Sequence, residues 1–203
     1  MVKVGITGGI GSGKTTVCKE WEKLGAVVVY ADDLAKSLMV EDQRLASRIR
    51  AVFGDAAYGD DGSLNRRFLA EEAFSKGRVQ ELNRLVHPAV AKKVRELMDR
   101  AEAQGAEMFV EEAALLLKNG RPAIFDYIVI VTADKEQRVE WVSERDEVEP
   151  QDIIARMKNQ QSFEELMPLC DFVVENDSTL AALKQKAADL YRKLLKLQNT
   201  GID

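Results

Sequence analysis

Cysteine is nearly absent. Cys18 and Cys170 are the two thiols in 203 residues, and they match neither a disulfide framework nor a zinc site. Reduced thiols in a cytoplasmic protein are the simplest reading. Histidine occurs once, at His87. No apolar run approaches the ~18 residues of a membrane span, so no membrane partner is expected. The apolar start, Met1 to Ile6, is too short for a signal peptide and runs straight into glycines. An excess of basic charge is missing as well. The formal net charge of −5 argues against nucleic acid as the main partner, since binding its backbone needs clustered Lys and Arg. It leaves room for a local basic cleft. There is no internal repeat and no low-complexity segment.

What is present suits a folded enzyme-sized domain. Hydrophobic residues make up 46% and charged residues 31%, enough for a sizeable core under a charged surface. The length fits one α/β domain, residues 1–203, carrying insertions. Val2 to Thr7 reads as a short buried strand, followed by a glycine-rich turn and a helix from Lys14 to Leu24. In that helix Val17, Trp21 and Leu24 form one apolar stripe. Gly25 ends it, and Ala26 to Tyr30 is a second strand. Strand, helix, strand implies a crossover and a parallel sheet.

A helix is expected from about Leu34, a loop from Gly54 to Gly62, and helical pattern from Asn65 to Ala103 with breaks near Gly77 and at His87-Pro88. Strands are expected at Met108 to Glu111, Tyr127 to Val131 and Phe172 to Val174. Helices are expected at Arg138 to Arg145, Gln151 to Lys158 and, amphipathic and closing the chain, Leu180 to Leu194. Alternating strands and helices give a three-layer α/β fold with five parallel strands.

Gly8 to Thr15 reads G-G-I-G-S-G-K-T, a full G-x-x-x-x-G-K-[ST]. Glycines let successive N–H groups point inward as an anion nest. The helix starting at Lys14 adds its positive end. Lys14 can reach the β- and γ-phosphates, and Thr15 offers a hydroxyl to Mg²⁺. The strand before and the helix after are the context this motif requires, so nucleotide binding follows. No N-K-x-D guanine reader occurs, which sets aside a GTPase switch. A small-molecule kinase needs an acceptor base besides. Asp32 and Asp33 lie just past the second strand, at the edge where open α/β sheets bind ligands. A carboxylate there can take or orient the acceptor hydroxyl's proton; the other role open to either residue is to cap the next helix.

These residues also carry a resemblance. T-G-G-I-G-S-G-K-T-T-V at Thr7 to Val17 resembles the opening of the dephospho-coenzyme A kinases, and A-D-D-L-A at Ala31 to Ala35 resembles their second signature, I-D-A-D-x-I-A-R. Leu64 to Phe74 resembles their L-x-R-R-x-L-x-x-x-x-F, His87-Pro88 their H-P step, Arg145-Asp146 the R-D of their lid, and Val173 to Asn176 their V-I-x-N strand end. The likeness runs from Val2 to about Lys193. It implies a P-loop kinase that moves the γ-phosphoryl of ATP, with Mg²⁺, onto the ribose 3′-hydroxyl of dephospho-coenzyme A, giving coenzyme A and ADP. A helical coenzyme-binding insertion at about 54–105 and a small lid at about 140–164 are further implications. So are ATP contacts from Gly11, Ser12, Gly13, Lys14, Thr15 and Thr16, a catalytic set of Asp32, Lys14 and Arg145, and substrate contacts from Asp32, Arg66 and His87. The expected oligomeric state is a monomer or weak homo-oligomer.

The chain departs from the family pattern in several places. Tyr30 stands where an aspartate is frequent, and Lys36 replaces an arginine. The D-V-P-L-L-F-E stretch reads E-A-A-L-L-L-K from Glu112 to Lys118, so Glu112 keeps a carboxylate while Lys118 reverses a charge. An arginine often found four residues before R-D is Trp141, and Arg138, seven residues before Arg145 on the same helical face, is the candidate replacement. Two other readings stand beside this one: a different P-loop nucleoside, nucleotide or small-metabolite kinase, and a nucleotide sensor without turnover. For Arg66 and His87 a solvated or structural role is open, for Arg145 a surface ion pair, and for Glu112 a Mg²⁺-bound water or plain surface.

Overall fold

The computed structural model describes residues 1–158 and 160–200. Asn159, inside the expected lid, and residues 201–203 lie outside the described residues, as does the side chain of Phe74 at the end of the L-x-R-R match. The chain divides into two compact units: Met1–Val29 with Arg100–Asp203, and Tyr30–Asp99. Among the described residues no helix is long and apolar enough to cross a membrane.

The first unit holds the sheet. Its strands are β1 (Val2–Gly8), β2 (Val27–Tyr30), β3 (Met108–Glu112), β4 (Tyr127–Thr132) and β5 (Phe172–Glu175). They lie in the order β2-β3-β1-β4-β5, in parallel. The five-stranded parallel α/β architecture expected from the sequence is therefore present. The central strands are largely apolar because helices cover both faces of such a sheet: Val2, Val4, Ile6, Phe109, Ile128 and Ile130 are fully buried. Gly5 interrupts β1 for a packing reason. A Cβ there would sit 2.6 Å from Leu116 Cδ2 and 2.9 Å from Ile128 Cδ1, so the missing side chain is the space those two occupy.

Helix α1 (Lys14–Lys23) follows β1 and packs against the closing helix α9 (Leu180–Thr200). Trp21, fully buried, donates its indole N–H to the Ala187 carbonyl at 2.7 Å. Tyr191 donates its hydroxyl to the Leu24 carbonyl at 2.9 Å, and the two rings meet at 6.2 Å between centroids. These contacts fix where α1 begins, and hence where the glycine-rich turn ends. Between β4 and β5 lie α6 (Lys135–Asp146), α7 (Pro150–Met157) and α8 (Phe163–Leu166). Asp134 caps α6, and Ser162 with Glu165 forms a capping box on α8.

The second unit is helical: α2 (Ala31–Glu41), α3 (Gln43–Phe53), α4 (Arg66–Ala70) and most of α5 (Val79–Ala103), with a 3₁₀ turn at Asp55–Ala57 and a π-type turn at Glu71–Ser75. Leu38, Leu45, Ile49, Phe53, Tyr58, Leu69, Leu85 and Val86 form its core. Two expectations are corrected here. The helix expected from Leu34 begins at Ala31 and is two helices, because Asp42 accepts from the Arg44 and Leu45 amides and caps a new start. The break expected at His87-Pro88 does not occur, and α5 runs through Pro88. Proline removes one ladder hydrogen bond, yet Leu85 and Val86 before it and Ala89 and Val90 after it are anchored in the same core.

Candidate functional site

The glycine-rich turn leaves β1 and enters α1 through two residues that only glycine suits. Gly11 has φ 75° and Gly13 φ 100°, left-handed backbone that costs other residues roughly 1–2 kcal/mol. A Cβ at Gly13 would also press on Asn176 Nδ2 at 2.9 Å. Gly13 is the N-cap of α1, with no side-chain cap and no acidic residue in the first turn. The positive end of α1 thus opens onto the loop without a built-in anion.

The side chains of the loop have different partners. Lys14, buried, donates from Nζ to the Gly9 carbonyl at 3.2 Å. Thr15 donates its hydroxyl to Glu112 Oε2 at 3.0 Å, which puts a hydroxyl and a carboxylate together at the carboxyl ends of β1 and β3. Ser12 is fully buried and its Oγ has no hydrogen-bond partner among the described residues. Thr16 is half-buried in the first turn of α1.

Of three residues to which the sequence assigned no role, two bond this loop from outside and the third stacks on Arg138. Asn176, buried at the end of β5, donates from Nδ2 to the Ser12 carbonyl at 3.2 Å. The signal for it was the V-x-x-N strand end. Gln160 accepts the Ile10 amide at 2.9 Å, and Phe163 packs its ring under the Arg138 guanidinium at 4.8 Å. Neither had a local signal, since Gln160 meets a residue 150 positions away. A cavity of about 480 Å³ is lined by Gly9, Arg138, Gln160 and Phe163 among others.

The two arginines of α6 have different surroundings. Arg145, mostly exposed, makes a two-pronged pair with Asp146, at 2.7 Å from Nε and 2.8 Å from Nη2. That pair holds Asp146 below the usual carboxylate range. Arg138 is half-buried and makes no ion pair among the described residues. Burial holds it below the usual arginine value, with Asp134 acting in the opposite sense. Trp141 is half-buried on the same helix.

Adjacent carboxyls in β3 differ too. Glu112 points to Thr15, and Glu111, on the other face by strand alternation, is pushed up to about 7 by burial. Burial also raises both thiols, Cys170 to about 11 and Cys18 further, so neither is a thiolate at neutral pH. Among the described residues no group of three or more His, Cys, Asp or Glu side chains is arranged to hold a metal ion.

In the helical unit, Asp32 and Asp33 are exposed and lie inside the first turn of α2; the N-cap is Tyr30, without a side-chain cap bond. The capping role open to them from sequence is thereby removed. Asp33 pairs with Lys36 at 2.7 Å. Arg66 is exposed at the first position of α4, behind the Asn65 cap. His87 is exposed within α5 rather than at a helix start.

Comparison with known proteins agrees with this loop and sheet. A family model described as dephospho-CoA kinase matches residues 2–182. A dephospho-CoA kinase of Salinibacter ruber is 46% identical over 192 residues, covering 94% of this chain and 96% of the relative. One of Chlorobium luteolum is 38% identical, covering 98% and 94%. Among solved structures, TT1252 of Thermus thermophilus is 30% identical with a TM-score of 0.80, covering 95% of this chain and 97% of its own. A dephospho-CoA kinase from Campylobacter jejuni, 22% identical over 95% and 96% of the two chains, shares the fold at a TM-score of 0.64. With a family match over nearly its whole length and the phosphate loop intact at its start, the chain belongs to the dephospho-CoA kinases.

Proposed function

We propose that this chain transfers the γ-phosphoryl of ATP to the ribose 3′-hydroxyl of dephospho-coenzyme A, giving coenzyme A and ADP. The observation that carries the reading is the family match from residue 2 to residue 182, which begins on an intact phosphate loop. Gly11, Ser12, Gly13, Lys14, Thr15 and Thr16 bind the ATP phosphates. The helical segment at about 54–105 binds the coenzyme, with contacts from Arg66 and His87, and the segment at about 140–164 is the lid.

In the transfer, the acceptor hydroxyl oxygen bonds to the γ-phosphorus while the bond from that phosphorus to the β–γ bridging oxygen breaks. The electron pair stays on ADP. The hydroxyl proton passes to the Asp32 carboxylate, an exposed group free of capping duties. The Lys14 amine, held 3.2 Å from the Gly9 carbonyl, meets the charge that develops on the β- and γ-oxygens. Arg145 adds a lid cation. The Thr15 hydroxyl and Glu112 carboxylate, 3.0 Å apart, fit a Mg²⁺ arriving with ATP, since that ion takes one or two protein oxygens and completes its shell with phosphates and water. When bound it would neutralise phosphate charge.

A coupled ADP-release assay tests the reading. Turnover is expected with dephospho-coenzyme A and not with nucleoside monophosphates. A nucleoside monophosphate as the better acceptor, or no acceptor-dependent ADP release at all, would overturn it.

A further inference from the structure

Gly9 is approached from two sides. Its carbonyl accepts the Lys14 amine at 3.2 Å. Its Cα face lies under Arg138: a Cβ built on Gly9 would run into Arg138 Nη1 and come within 3.3 Å of Phe163 Cζ. Gly9 has no left-handed backbone to explain the residue choice. The missing Cβ is a seat for a guanidinium.

Three features mark that guanidinium as placed for a ligand rather than for the fold. It is half-buried with no ion pair among the described residues, and its Nε is buried without a partner. Leaving a cation so is costly unless something neutralises it. Phe163, on which it stacks, belongs to a stretch tied to the phosphate loop by the bond between Gln160 and the Ile10 amide. Lastly, it lines the same cavity as Gly9, open to an anion laid on the loop. Arg145, by contrast, already has an ion-pair partner in Asp146.

We propose that Arg138 is a second α6 guanidinium, besides Arg145, that contacts the transferring phosphoryl, and that Gly9 is a specificity-determining glycine whose absent side chain admits it. The inference rests on the kinase reading above and assigns one more cation to the same reaction. Arginine stays protonated throughout, so Arg138 moves no proton. It neutralises the equatorial oxygens while the bond to the β–γ bridging oxygen breaks and the bond to the acceptor oxygen forms.

The test uses the full chain with ATP and dephospho-coenzyme A. Arg138→Ala should lower kcat by about 10³-fold or more, as single arginines at transferring phosphates do, and change the Kd for ATP far less. That loss should exceed the loss from Arg145→Ala. Gly9→Ala should leave Tm unchanged, because the Cβ meets the movable end of a side chain, yet it should lower kcat into the same range by evicting the guanidinium. The double variant should be no worse than either single one. Millimolar guanidinium should restore part of the turnover of Arg138→Ala and none of that of Gly9→Ala, whose seat is filled. Should Arg138→Ala fail to fold, Arg138→Lys keeps the charge and loses the fork, and a kcat loss of about 10-fold or more is expected. Wild-type kcat in folded Gly9→Ala, additive losses in the double variant, or a larger loss from Arg145→Ala would each overturn the proposal. Those outcomes require a wild-type chain that turns over; a wild type without acceptor-dependent ADP release would overturn the kinase reading instead.

Discussion

The two compact units treat charge in opposite ways. In the helical unit, Glu72 is enclosed by cations: Lys76 and Arg78 both bind it, and Arg78 also binds Glu81 and stacks on Phe53 at 4.4 Å. The hydrogen bonds from Lys76 and Arg78 hold the Glu72 carboxyl below its ordinary range. In the sheet unit, Glu111 is half-buried without an ion pair or hydrogen bond among the described residues and is pushed up to about 7, and Arg138 makes no ion pair among the described residues. Compensated charge belongs to a scaffold. Uncompensated charge lowers stability.

The comparison breaks if removing charge near the phosphate loop unfolds the protein. Lys14→Ala should lower turnover by about 10³–10⁵-fold, the range for one cation at a transferring phosphate. Its Tm should stay within a few degrees of wild type, read by calorimetry beside the ADP-release assay. Asp32→Asn comes next, with a fall of about 10²–10⁴-fold in kcat and little change in ATP affinity. Asp33→Asn is its control, since Asp33 is engaged with Lys36. A crippled Asp33→Asn beside an active Asp32→Asn would move the base.

Smaller effects sharpen the contrast, and they carry opposite signs. Glu111 binds its proton more tightly folded than unfolded, so its contribution is present below the ordinary carboxyl range and lost as pH rises through about 7. Glu111→Gln should match wild-type stability near pH 4 and exceed it by at most about 3 kcal/mol at pH 8 in urea melts. Glu72 is depressed, so its contribution is present above the ordinary carboxyl range and lost as pH falls through its folded value. Glu72→Gln should be less stable than wild type at pH 7, with the deficit shrinking in acid. A deficit that grows in acid would mean the ion cluster is not what holds that turn.

Legibility in the sequence followed the range of the forces involved. The strands and α1 could be read because a parallel sheet needs apolar runs and a phosphate loop needs glycines at fixed spacing, both local facts. Asp32 could be placed at a strand end for the same reason. The continuity of α5 through Pro88 could not, because it depends on Leu85 and Val90 reaching a core assembled from α2 and α3. Nor could the start of α2 at Ala31, which uses Tyr30 as a cap without a side-chain bond. The bonds of Gln160 and Asn176 to the loop join residues 150 and 164 positions apart, and no window of sequence contains both ends.

The placement of β1 has a consequence for how the chain comes to exist. Its neighbours in the sheet are β3 and β4, so Val2 waits for Met108 and Val4 for Tyr127. Pairing that distant slows folding far more than it alters stability. At ribosomal rates the hundred or so intervening residues take on the order of 10 s to appear. For that interval V-K-V-G-I, an apolar strand broken by one lysine, stands without either neighbour. The nascent chain is then most open to pairing with the wrong edge, and the early folding of Tyr30–Asp99, by drawing its two ends into a compact body, would shorten the search that β1 has to make.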